Sequence, residues 1–377
     1  MKLLFINGSR GEWGYIRPLI QKCNDAGIDY SICATNMLLL PAYGNLVDEI
    51  KRDGFRVDDE IFMSLEGSNH YTMVKSLGIF LTSFVDVLHR HRPDWIILAG
   101  DRGEQLMGSI AGAYTYTPVA HIQAGERSGN IDGTARHSLG KFAHLHFAAN
   151  EDAVERLLRL GEEPFRVHNV GAPQLDELTQ GLISSRAELV QNCNLAESEP
   201  YLLIAQHPVT EEMELAEQQV KVLVESLNHF KMRKIWILPN NDAGSETVRR
   251  ELLQYRRSDS QVYENLTRRD YLGLLKHCKA IVGNSSSGLL EAPSFGIPAV
   301  NIGRRQNNRV QGINVINANF VKRECIEAIE KAISPEFRAS ISGCVNPYGD
   351  GRSSERILQI LKNTPVDKKL LIKNLVY

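Results

Sequence analysis

The 377-residue chain lacks the motifs that mark several large classes of enzyme. It has no C-x-x-C or H-x-x-x-H spacing and no aspartate-rich loop, which are ligand patterns of zinc and calcium sites. It has neither a phosphate-binding P-loop nor the G-x-S-x-G turn that carries a nucleophilic serine. We therefore expect no metal site and no serine nucleophile.

The chain also lacks a dominant charge, paired cysteines and a long apolar run. Its 43 basic and 45 acidic residues give a net charge of -2, which argues against nucleic acid or an anionic membrane as the main partner. The six cysteines are scattered, which favours reduced thiols. The N-terminal MKLLFING is too short for a signal peptide, and no run approaches the roughly 18 apolar residues of a membrane span. These features predict a cytoplasmic protein.

Short apolar segments alternate with helix-like segments along the whole chain. The apolar segments are rich in Ile, Val and Leu and do not alternate with polar residues, which is typical of strands buried on both faces of a parallel sheet. They are LLFING, YSICAT, DWIILAG, PVAHIQ, LHFAAN, RVHNVG, YLLIAQ, KIWILPN, QVYENL, AIVGNS and PAVNIG.

This alternation runs twice, which predicts two doubly wound, Rossmann-like α/β domains with a ligand cleft between them. We place the first domain at residues 1–175 and the second at residues 176–377, with a hinge near residues 172–184. GRSSERILQILKN is predicted to form the final helix, and whether this helix packs on the first domain stays open. TPVDKKLLIKNLVY is expected to be a tail. Asn150 is predicted to cap a helix, Gly161 to end it, and Pro293 to shorten another.

Two motifs of the first domain follow predicted strands. In GSRGEWG, Gly8 and Gly11 would let the backbone approach a ligand and Arg10 would reach an anion, although the spacing is not the dinucleotide pattern G-x-G-x-x-G. In LAGDRGEQL, Asp101 and Arg102 follow an apolar strand, where polar side chains face a cleft. A plain strand-to-helix turn explains the first motif equally well, and helix capping by Asp101 explains the second slightly better.

The stretch HIQAGERSGNIDGTARH concentrates charged and imidazole side chains after a predicted strand. Asp132 and Arg136 are four residues apart and share one helix face, at the margin or the exposed end of the core-facing stripe. That stripe is expected to comprise Ala135, Leu139, Phe142 and Ala143. Capping plus an ion pair, worth a few tenths of a kcal/mol, explains Asp132 and Arg136. It does not explain the nearby His121, Glu126 and His137, and these favour a functional site.

The second domain carries motifs that favour a nucleotide. In GNSSSGLLEA three serines precede a helix, which predicts a phosphate cradle, and Glu291 would take the two hydroxyls of a ribose. Capping accounts for one of these serines and not for three. His207 in QHPVT and Asn240 in PNNDAGS follow other strands and would line the same cleft. Arginines after the last predicted strand suggest a diphosphate: Arg304, Arg305 and Arg309.

Together these motifs resemble those of the hydrolysing UDP-N-acetylglucosamine 2-epimerases of sialic-acid and related nonulosonic-acid synthesis. The resemblance rests on GDRGEQL, HIQAGERSGNIDGTARHSLGKFAHLHFAANE, QHPVT, PNNDAGS, GNSSSGLLEAPSFGIPAVNIGRRQ and NPYGDGRSSERI, and it extends from Arg10 to Ile357. It implies two Rossmann-like domains of the glycosyltransferase-B type with a UDP-sugar between them. It also implies no dissociable organic cofactor, and a homodimer or homotetramer.

The resemblance assigns roles to single residues. It implies that Arg10 and Arg102 hold the diphosphate or the sugar. It implies phosphate binding by Ser285 and Ser286, ribose binding by Glu291 and a contact of Arg305 with the pyrophosphate. His207 and Asn240 would line the nucleotide site. Around the sugar, as catalytic candidates, it places Asp101, Glu126, Asp132, Arg136 and His137. We assign His121 and Gln123 to the substrate-binding residues.

Gln123 departs from the family pattern. UDP-N-acetylglucosamine enzymes often have Glu at this place in the motif, and glutamine cannot titrate. The HIQ form resembles relatives of the legionaminic-acid type that act on a 2,4-diacetamido-2,4,6-trideoxy sugar. Two substrates therefore stay open, UDP-N-acetylglucosamine and UDP-2,4-diacetamido-2,4,6-trideoxyglucose.

The chemistry of the family is an anti elimination of UDP followed by hydration of the resulting glycal. Asp101, Glu126 and Asp132 are the candidates for the proton transfers that these steps need. Two other functions stay open, a glycosyltransferase of the same fold and a non-catalytic nucleotide-sugar-binding protein. The cluster of carboxylates and arginines in the first domain favours the epimerase.

Overall fold

Two parallel β-sheets organise the computed structural model, which describes residues 1–67, 69–254 and 258–376. Each sheet lies in one of two units of the chain. The first unit contains Met1–Arg127, Ile131–Thr179 and Tyr348–Tyr377, and the second contains Ser128–Asn130 and Gln180–Pro347.

The sheet of the first unit is wound in both directions from its centre. Its strands are β1 (Lys2–Asn7), β2 (Asp29–Thr35), β3 (Asp59–Ile61), β4 (Trp95–Ala99), β5 (Val119–Ala124), β6 (Leu145–Ala148) and β7 (Val167–Asn169). Their order across the sheet is β3-β2-β1-β4-β5-β6-β7, and the pairings are parallel. The winding direction reverses between β1 and β4, so the carboxyl ends of these two strands form the topological switch point, where ligands bind in such sheets.

The sheet of the second unit repeats this plan. Its strands are β8 (Tyr201–Ala205), β9 (Arg233–Ile237), β10 (Ser260–Tyr263), β11 (Ala280–Gly283), β12 (Ala299–Ile302) and β13 (Val315–Ala318). Their order is β10-β9-β8-β11-β12-β13, again parallel. The switch point therefore lies at the carboxyl ends of β8 and β11.

Helices connect the strands in both units. The first unit begins with α1 (Arg10–Asp25), α2 (Leu46–Arg52), α3 (His70–His91), α4 (Gly103–Tyr114), α5 (Ile131–Phe142), α6 (Glu151–Arg159) and α7 (Asp176–Thr179). The second unit has α8 (Arg186–Asn192), α9 (Ala216–Leu227), α10 (Ser245–Gln254), α11 (Arg268–His277), α12 (Ser287–Leu290), α13 (Lys322–Ile333) and α14 (Pro335–Ser340). The chain then returns to the first unit with α15 (Ser353–Asn363) and α16 (Lys368–Leu371).

The central strands are buried on both faces, which explains their unbroken apolar runs. In β1, Leu3 and Phe5 belong to a core with α1 and α15, whereas Leu4 and Ile6 belong to a second core with α3 and α5. Burial on two faces removes the alternation of polar and apolar residues. The prediction of two doubly wound parallel α/β domains is confirmed, and every predicted strand segment contains a strand.

Two strands were missed, and both lie at sheet edges. β3 has the sequence DEI and β13 the sequence VINA, and both are only partly buried. Short, half-exposed edge strands lack the apolar run by which the others were found. The three predicted helix signals are confirmed: Asn150 accepts from the Ala153 amide at 3.0 Å, Gly161 has a φ of 84° just past α6, and α12 ends before Pro293.

α3 is the one helix of the described residues that is long and apolar enough to cross a membrane, judged by length and composition alone. Lys75 and Asp86 interrupt its sequence, so α3 is not an unbroken apolar run of the length that a span needs. Phe80 and Phe84 of this helix are fully buried in the first unit, and their rings stack with centroids 5.2 Å apart. The apolar composition of α3 thus supplies one of the two cores of that unit.

The C-terminal segment, which was predicted to be a tail, is tied to the first unit. The fully buried Arg166 donates hydrogen bonds to the carbonyl oxygens of Lys369, Leu370 and Ile372, at 2.8 to 3.2 Å. Lys373 donates to Glu162 at 2.6 Å and to the Ala143 carbonyl, just past α5, at 2.8 Å. A cation at the C-terminal end of a helix is favourable because the last carbonyls have no partner within the helix.

We predict that Lys373→Met lowers the urea midpoint of unfolding, because Glu162 is buried and loses a cationic partner. The expected loss is about 1–3 kcal/mol, the usual cost of stranding a buried polar group. The matched control is Lys368→Met, since Lys368 lies exposed on the same segment. Equal midpoints for the two variants would mean that the Lys373 contacts do not stabilise the first unit.

Candidate functional site

Polar side chains gather at the carboxyl ends of four adjacent strands in the first unit, β1, β4, β5 and β6. These side chains belong to Asn7, Arg10, Asp101, Arg102, His121, Gln123, Glu126 and Asn150. Asn7, His121, Gln123 and Glu126 are buried, and so is Asn150. This edge includes the switch point of the sheet, where the fold leaves room for a ligand.

Asp101 is held by a buried guanidinium. Arg136 of α5 is only 3% exposed, and its Nη2 donates to Asp101 Oδ2. Its Nη1 donates to the Arg127 carbonyl oxygen at 3.3 Å. The arginine keeps its charge at all ordinary pH values, so it fixes a positive charge beside this carboxylate.

α4 begins at Gly103 with Arg102 in the capping position, one residue after Asp101. The expectation about the placement of Arg136 is wrong. Arg136 lies on the buried side of α5 with Gly133, Leu139 and Gly140, and not at the margin or exposed end of an apolar stripe. Glycines on the same face account for the difference, because they pack closely and yet give no apolar signal in the sequence.

His121 supports the turn before Asp101. It is fully buried, and its Nε2 donates to the carbonyl oxygen of Gly100 at 2.7 Å. Burial lowers the pKa of His121 to about 3, so the ring is neutral and its proton lies on Nε2. Gly100 has a φ of 86°, which favours glycine. His121 therefore orients the residue that leads into Asp101.

Glu126 is fixed by a neighbour from the next strand. It is 1% exposed, and its Oε1 accepts from Asn150 Nδ2 at 2.6 Å. The same Asn150 side chain caps α6 through its oxygen. The Tyr348 hydroxyl lies 3.5 Å from Glu126 Oε2. Sequence reasoning had assigned Asn150 only to capping and had not singled out Tyr348, although both lie in motifs of the family resemblance.

Gln123 stands in an unusual backbone conformation. Its φ is 64°, and the register between β5 and β6 shifts between Ile122 and Ala124. Its side chain is 1% exposed and donates through Nε2 to Gln174 Oε1 at 3.3 Å. A non-glycine residue in this region costs about 1–3 kcal/mol and is found mainly at functional sites. Strand irregularities of this kind re-aim a side chain.

Arg102 is oriented by a buried carboxylate that sequence reasoning had missed. Its Nε donates to Glu104 Oε1 at 3.2 Å, and Glu104 is buried. The Glu104 side chain lies so close to Gly8 that a Cβ there would meet Glu104 Oε1 at 2.1 Å, so a larger residue would displace the Glu104 carboxylate. Beside it, burial and the charge of Glu104 raise the pKa of Glu12 well above its usual range.

The other predicted residues of α1 and α5 are less enclosed. Arg10 is the first residue of α1, and Asp132 lies in the first turn of α5; both are half-buried. His137 is also half-buried, and its pKa is lowered by burial and by the adjacent Arg136. The first unit therefore brings together the buried carboxylate of Glu126, the half-buried carboxylate of Asp101, the buried guanidinium of Arg136 and the neutral ring of His121.

A second set of predicted residues lies at the switch point of the second unit. The backbone N–H of His207, after β8, donates to Asn284 Oδ1 at 2.7 Å, and Asn284 Nδ2 donates to the His207 carbonyl at 2.8 Å. Asn284 thus ties the loop after β8 to the loop after β11. Ser285 follows it, Ser286 occupies the capping position of α12, and Asn240 follows β9.

Arginines flank this second set. Arg305 Nη1 donates to the Asn284 carbonyl at 3.3 Å, which places its guanidinium beside the serine loop. Glu291 is buried and its Oε1 accepts from Arg268 Nη2 at 3.0 Å. Arg268 was not predicted, since it begins α11 and has no sequence proximity to Glu291. α12 spans only four residues, so its helix dipole is weak.

In fold, the chain is similar to solved structures of nucleotide-sugar epimerases. The crystal structure of UDP-GlcNAc 2-epimerase from Neisseria meningitidis bound to UDP-GlcNAc matches with a TM-score of 0.81 and 20% sequence identity, over 97% of this chain and 100% of that one. Among the described residues, no group of three or more His, Cys, Asp or Glu side chains is arranged to hold a metal ion.

Sequence comparison identifies the family. The family model described as UDP-N-acetylglucosamine 2-epimerase matches residues 21–362. The chain is 34% identical over 375 residues to the UDP-N,N'-diacetylbacillosamine 2-epimerase (hydrolyzing) of Legionella pneumophila, covering 99% of this chain and 98% of that protein. It is 32% identical over 367 residues to the UDP-N-acetylglucosamine 2-epimerase of Neisseria meningitidis serogroup B, covering 96% and 95%. The chain belongs to the UDP-N-acetylglucosamine 2-epimerase family.

Buried histidines of the first unit predict a loss of stability in acid. Burial lowers the pKa of His121 to about 3 and of His144 and His146 to about 4. Between pH 6.5 and 4 the unfolded chain therefore binds more protons than the native protein, so stability falls as the pH falls through this range. At about 1.4 kcal/mol for each pKa unit, we expect up to about 2 kcal/mol per histidine at pH 5.

The measurement is the urea midpoint at pH 7.5 and pH 5. His144→Asn keeps an acceptor for the Val119 amide, now bound by His144 Nδ1 at 3.0 Å, and should reduce the acid-induced drop. The control is His229→Asn, because His229 is exposed. An equal drop in the wild type and in His144→Asn would show that His144 does not contribute to the acid sensitivity.

Proposed function

We propose that the protein is a hydrolysing 2-epimerase that converts a UDP-activated 2-acetamido sugar to the free manno-configured sugar and UDP. The observation that carries the proposal is the pair of carboxylates at the ends of β4 and β5: Asp101, held by Arg136, and Glu126, held by Asn150. Glu126 is buried and Asp101 is half-buried, and carboxylates that are held in place suit proton transfer at a sugar ring.

The reaction needs two proton transfers and a departing diphosphate. A base removes the proton from C2 as the C1–O bond to UDP breaks, which forms the C1=C2 double bond of a glycal. Water then adds at C1 while C2 receives a proton on the opposite face, which inverts C2. Asp101, Glu126 and Asp132 carry these proton transfers in the proposal. His137 and Arg136 complete the sugar-side set.

Cations assist the departure of UDP. Arg102, oriented by Glu104, and Arg10 at the start of α1 stand at the switch point of the first unit. Positive groups that are held in place stabilise charge on a leaving group without reorganising. In the second unit, Ser285, Ser286 and Arg305 bind phosphate, and the proposal assigns the ribose to Glu291. His207 and Asn240 line the nucleotide.

The sugar is a 2-acetamido sugar, either UDP-N-acetylglucosamine or UDP-2,4-diacetamido-2,4,6-trideoxyglucose. The Legionella and Neisseria relatives are named for a diacetamido and a monoacetamido substrate, and the chain is similar to both. The product belongs to the supply of precursors for sialic or legionaminic acids, and we place the enzyme in the cytoplasm as a homodimer or homotetramer.

The test is proton NMR of the purified protein with each UDP-sugar in deuterated water and without any acceptor. We expect UDP, the free manno sugar and deuterium at its C2, because the proton that returns to C2 comes from solvent. Asp132→Asn should lower turnover by about 10²–10⁴-fold, the typical share of general acid–base catalysis. Asp86→Asn is the control, since Asp86 is exposed on α3.

An unconsumed UDP-sugar in this experiment would point to a glycosyltransferase or a binding protein. Release of a sugar with its C2 proton retained would exclude the elimination. Asp101→Asn should also lower the melting temperature, because it leaves the buried Arg136 without its carboxylate partner. Circular dichroism at the assay temperature separates that loss from the loss of catalysis.

The nucleotide assignment predicts a ligand-dependent thermal shift. UDP should raise the melting temperature of the wild type by mass action, and Ser286→Ala with Arg305→Ala should abolish that shift. Arg323→Ala is the matched control in the second unit, because the Arg323 side chain is 86% exposed. A full UDP shift in the double variant would place the nucleotide elsewhere.

A further inference from the structure

Gln123 and Gln174 form an isolated pair of buried amides in the first unit. Both are 1% exposed, and one hydrogen bond joins Gln123 Nε2 to Gln174 Oε1 at 3.3 Å. The two remaining polar atoms, Gln123 Oε1 and Gln174 Nε2, are buried and have no hydrogen-bond partner. The pair therefore presents one acceptor and one donor side by side.

This arrangement is costly for the fold. A buried polar group without a partner costs about 1–3 kcal/mol, and such groups are rare in native proteins. The backbone of Gln123, with a φ of 64°, adds to the cost. If the pair had only a structural role, two apolar side chains would stabilise the fold more, because they would leave no polar atom unpaired.

The pair belongs to two segments that adjoin Glu126 or Tyr348. Gln123 comes from the strand that leads to Glu126, and Gln174 comes from a short turn after β7, Pro173–Leu175. Ala172, at the start of that turn, donates its N–H to the Tyr348 carbonyl at 2.7 Å. The Tyr348 hydroxyl in turn lies 3.5 Å from Glu126 Oε2. The turn that carries Gln174 is thus linked to Glu126 through Tyr348.

A secondary amide has the complementary pattern, since its N–H donates and its carbonyl oxygen accepts. A hydroxyl also donates and accepts, but through one atom, whereas the two glutamine atoms belong to separate side chains. Exchanging the nitrogen and oxygen of both glutamines leaves the argument unchanged, because one donor and one acceptor would still remain. Resting on the proposed function, we propose that Gln123 and Gln174 together bind an acetamido group of the sugar.

The identity of residue 123 matters for this recognition. A glutamate at this position would accept only when ionised, so Gln174 would have to turn its own N–H toward it. The donor for the substrate carbonyl would then be lost. A site that has buried polar groups discriminates strongly against a ligand that leaves them unpaired. Gln123 therefore acts in substrate selection together with Gln174, which is remote from it in sequence.

The experiment measures affinity separately from catalysis, in an Asp132→Asn background verified to be inactive. Calorimetry gives the Kd of UDP, UDP-N-acetylglucosamine and UDP-2,4-diacetamido-2,4,6-trideoxyglucose with and without Gln174→Met. We expect the Kd of at least one acetamido sugar to rise by about 10–100-fold, the range of a lost hydrogen bond to a buried group. The Kd of UDP should stay unchanged.

The melting temperature supplies the second readout. Gln123→Met with Gln174→Met should leave it unchanged or raise it, because the double variant removes two unpaired polar atoms. The comparison is Gln105→Met, since Gln105 accepts from the Ala99 amide at 3.1 Å and donates to the Ile6 carbonyl at 3.2 Å. This bonded, structural glutamine should lower the melting temperature when it is replaced.

The outcomes separate the possibilities. A weaker Kd for the diacetamido sugar alone assigns the pair to its 4-acetamido group, and an equal loss for both sugars assigns it to the 2-acetamido group. Unchanged sugar affinities in Gln174→Met, or a melting temperature that falls as in Gln105→Met, would overturn the proposal. If the wild type binds a sugar tightly but releases no free sugar, the hydrolysing function is refuted. The proposal that the amide pair binds an acetamido group would still stand.

Discussion

The ion pair between the buried Arg136 and the half-buried Asp101 is the constraint on which the carboxyl edge of the first sheet depends. A guanidinium that is 3% exposed cannot lose its proton, so its burial is tolerable only with a carboxylate at the right place. α5 must therefore pack against the sheet in one orientation about its axis and at one distance. His121 fixes the turn before Asp101 from one side, and Lys373 fixes the C-terminal end of α5 from the other.

The same unit tolerates features that would be faults in a purely structural domain. Gln123 has a strained backbone, Glu12 is a buried carboxyl beside Glu104, and two glutamine atoms lack partners. Each of these features opposes folding, and the double-sided cores of the sheet offset them. Glu12, Gln123 and the unpaired glutamine atoms belong to segments at the carboxyl ends of β1, β5 and β7, the edge where ligands bind in such sheets, which associates them with function.

The sequence predicted those features whose cause is local. Strands buried on both faces require unbroken apolar runs, so LLFING or DWIILAG could be recognised without a structure. Helix ends at Asn150 and Gly161 follow from local chemistry as well. Arg136 was misplaced because the glycines that pack around it carry no hydrophobic signal. Gln174, Arg268 and Glu104 were missed because their significance arises from partners distant in the chain, and no spacing rule contains that information.

In the proposed function, the position of Gln123 on β5 serves recognition of the sugar in place of catalysis. The register shift and the positive φ at Gln123 change the direction of its side chain from that of a regular strand residue. The same backbone geometry would suit a titrating carboxylate equally well. An amide at this position cannot transfer protons, so the proposed mechanism assigns the proton transfers to Asp101, Glu126 and Asp132. The amide can, however, donate and accept at once, which a carboxylate cannot. Backbone geometry thus sets where the side chain acts, whereas its chemistry sets whether it reacts with the sugar or selects it.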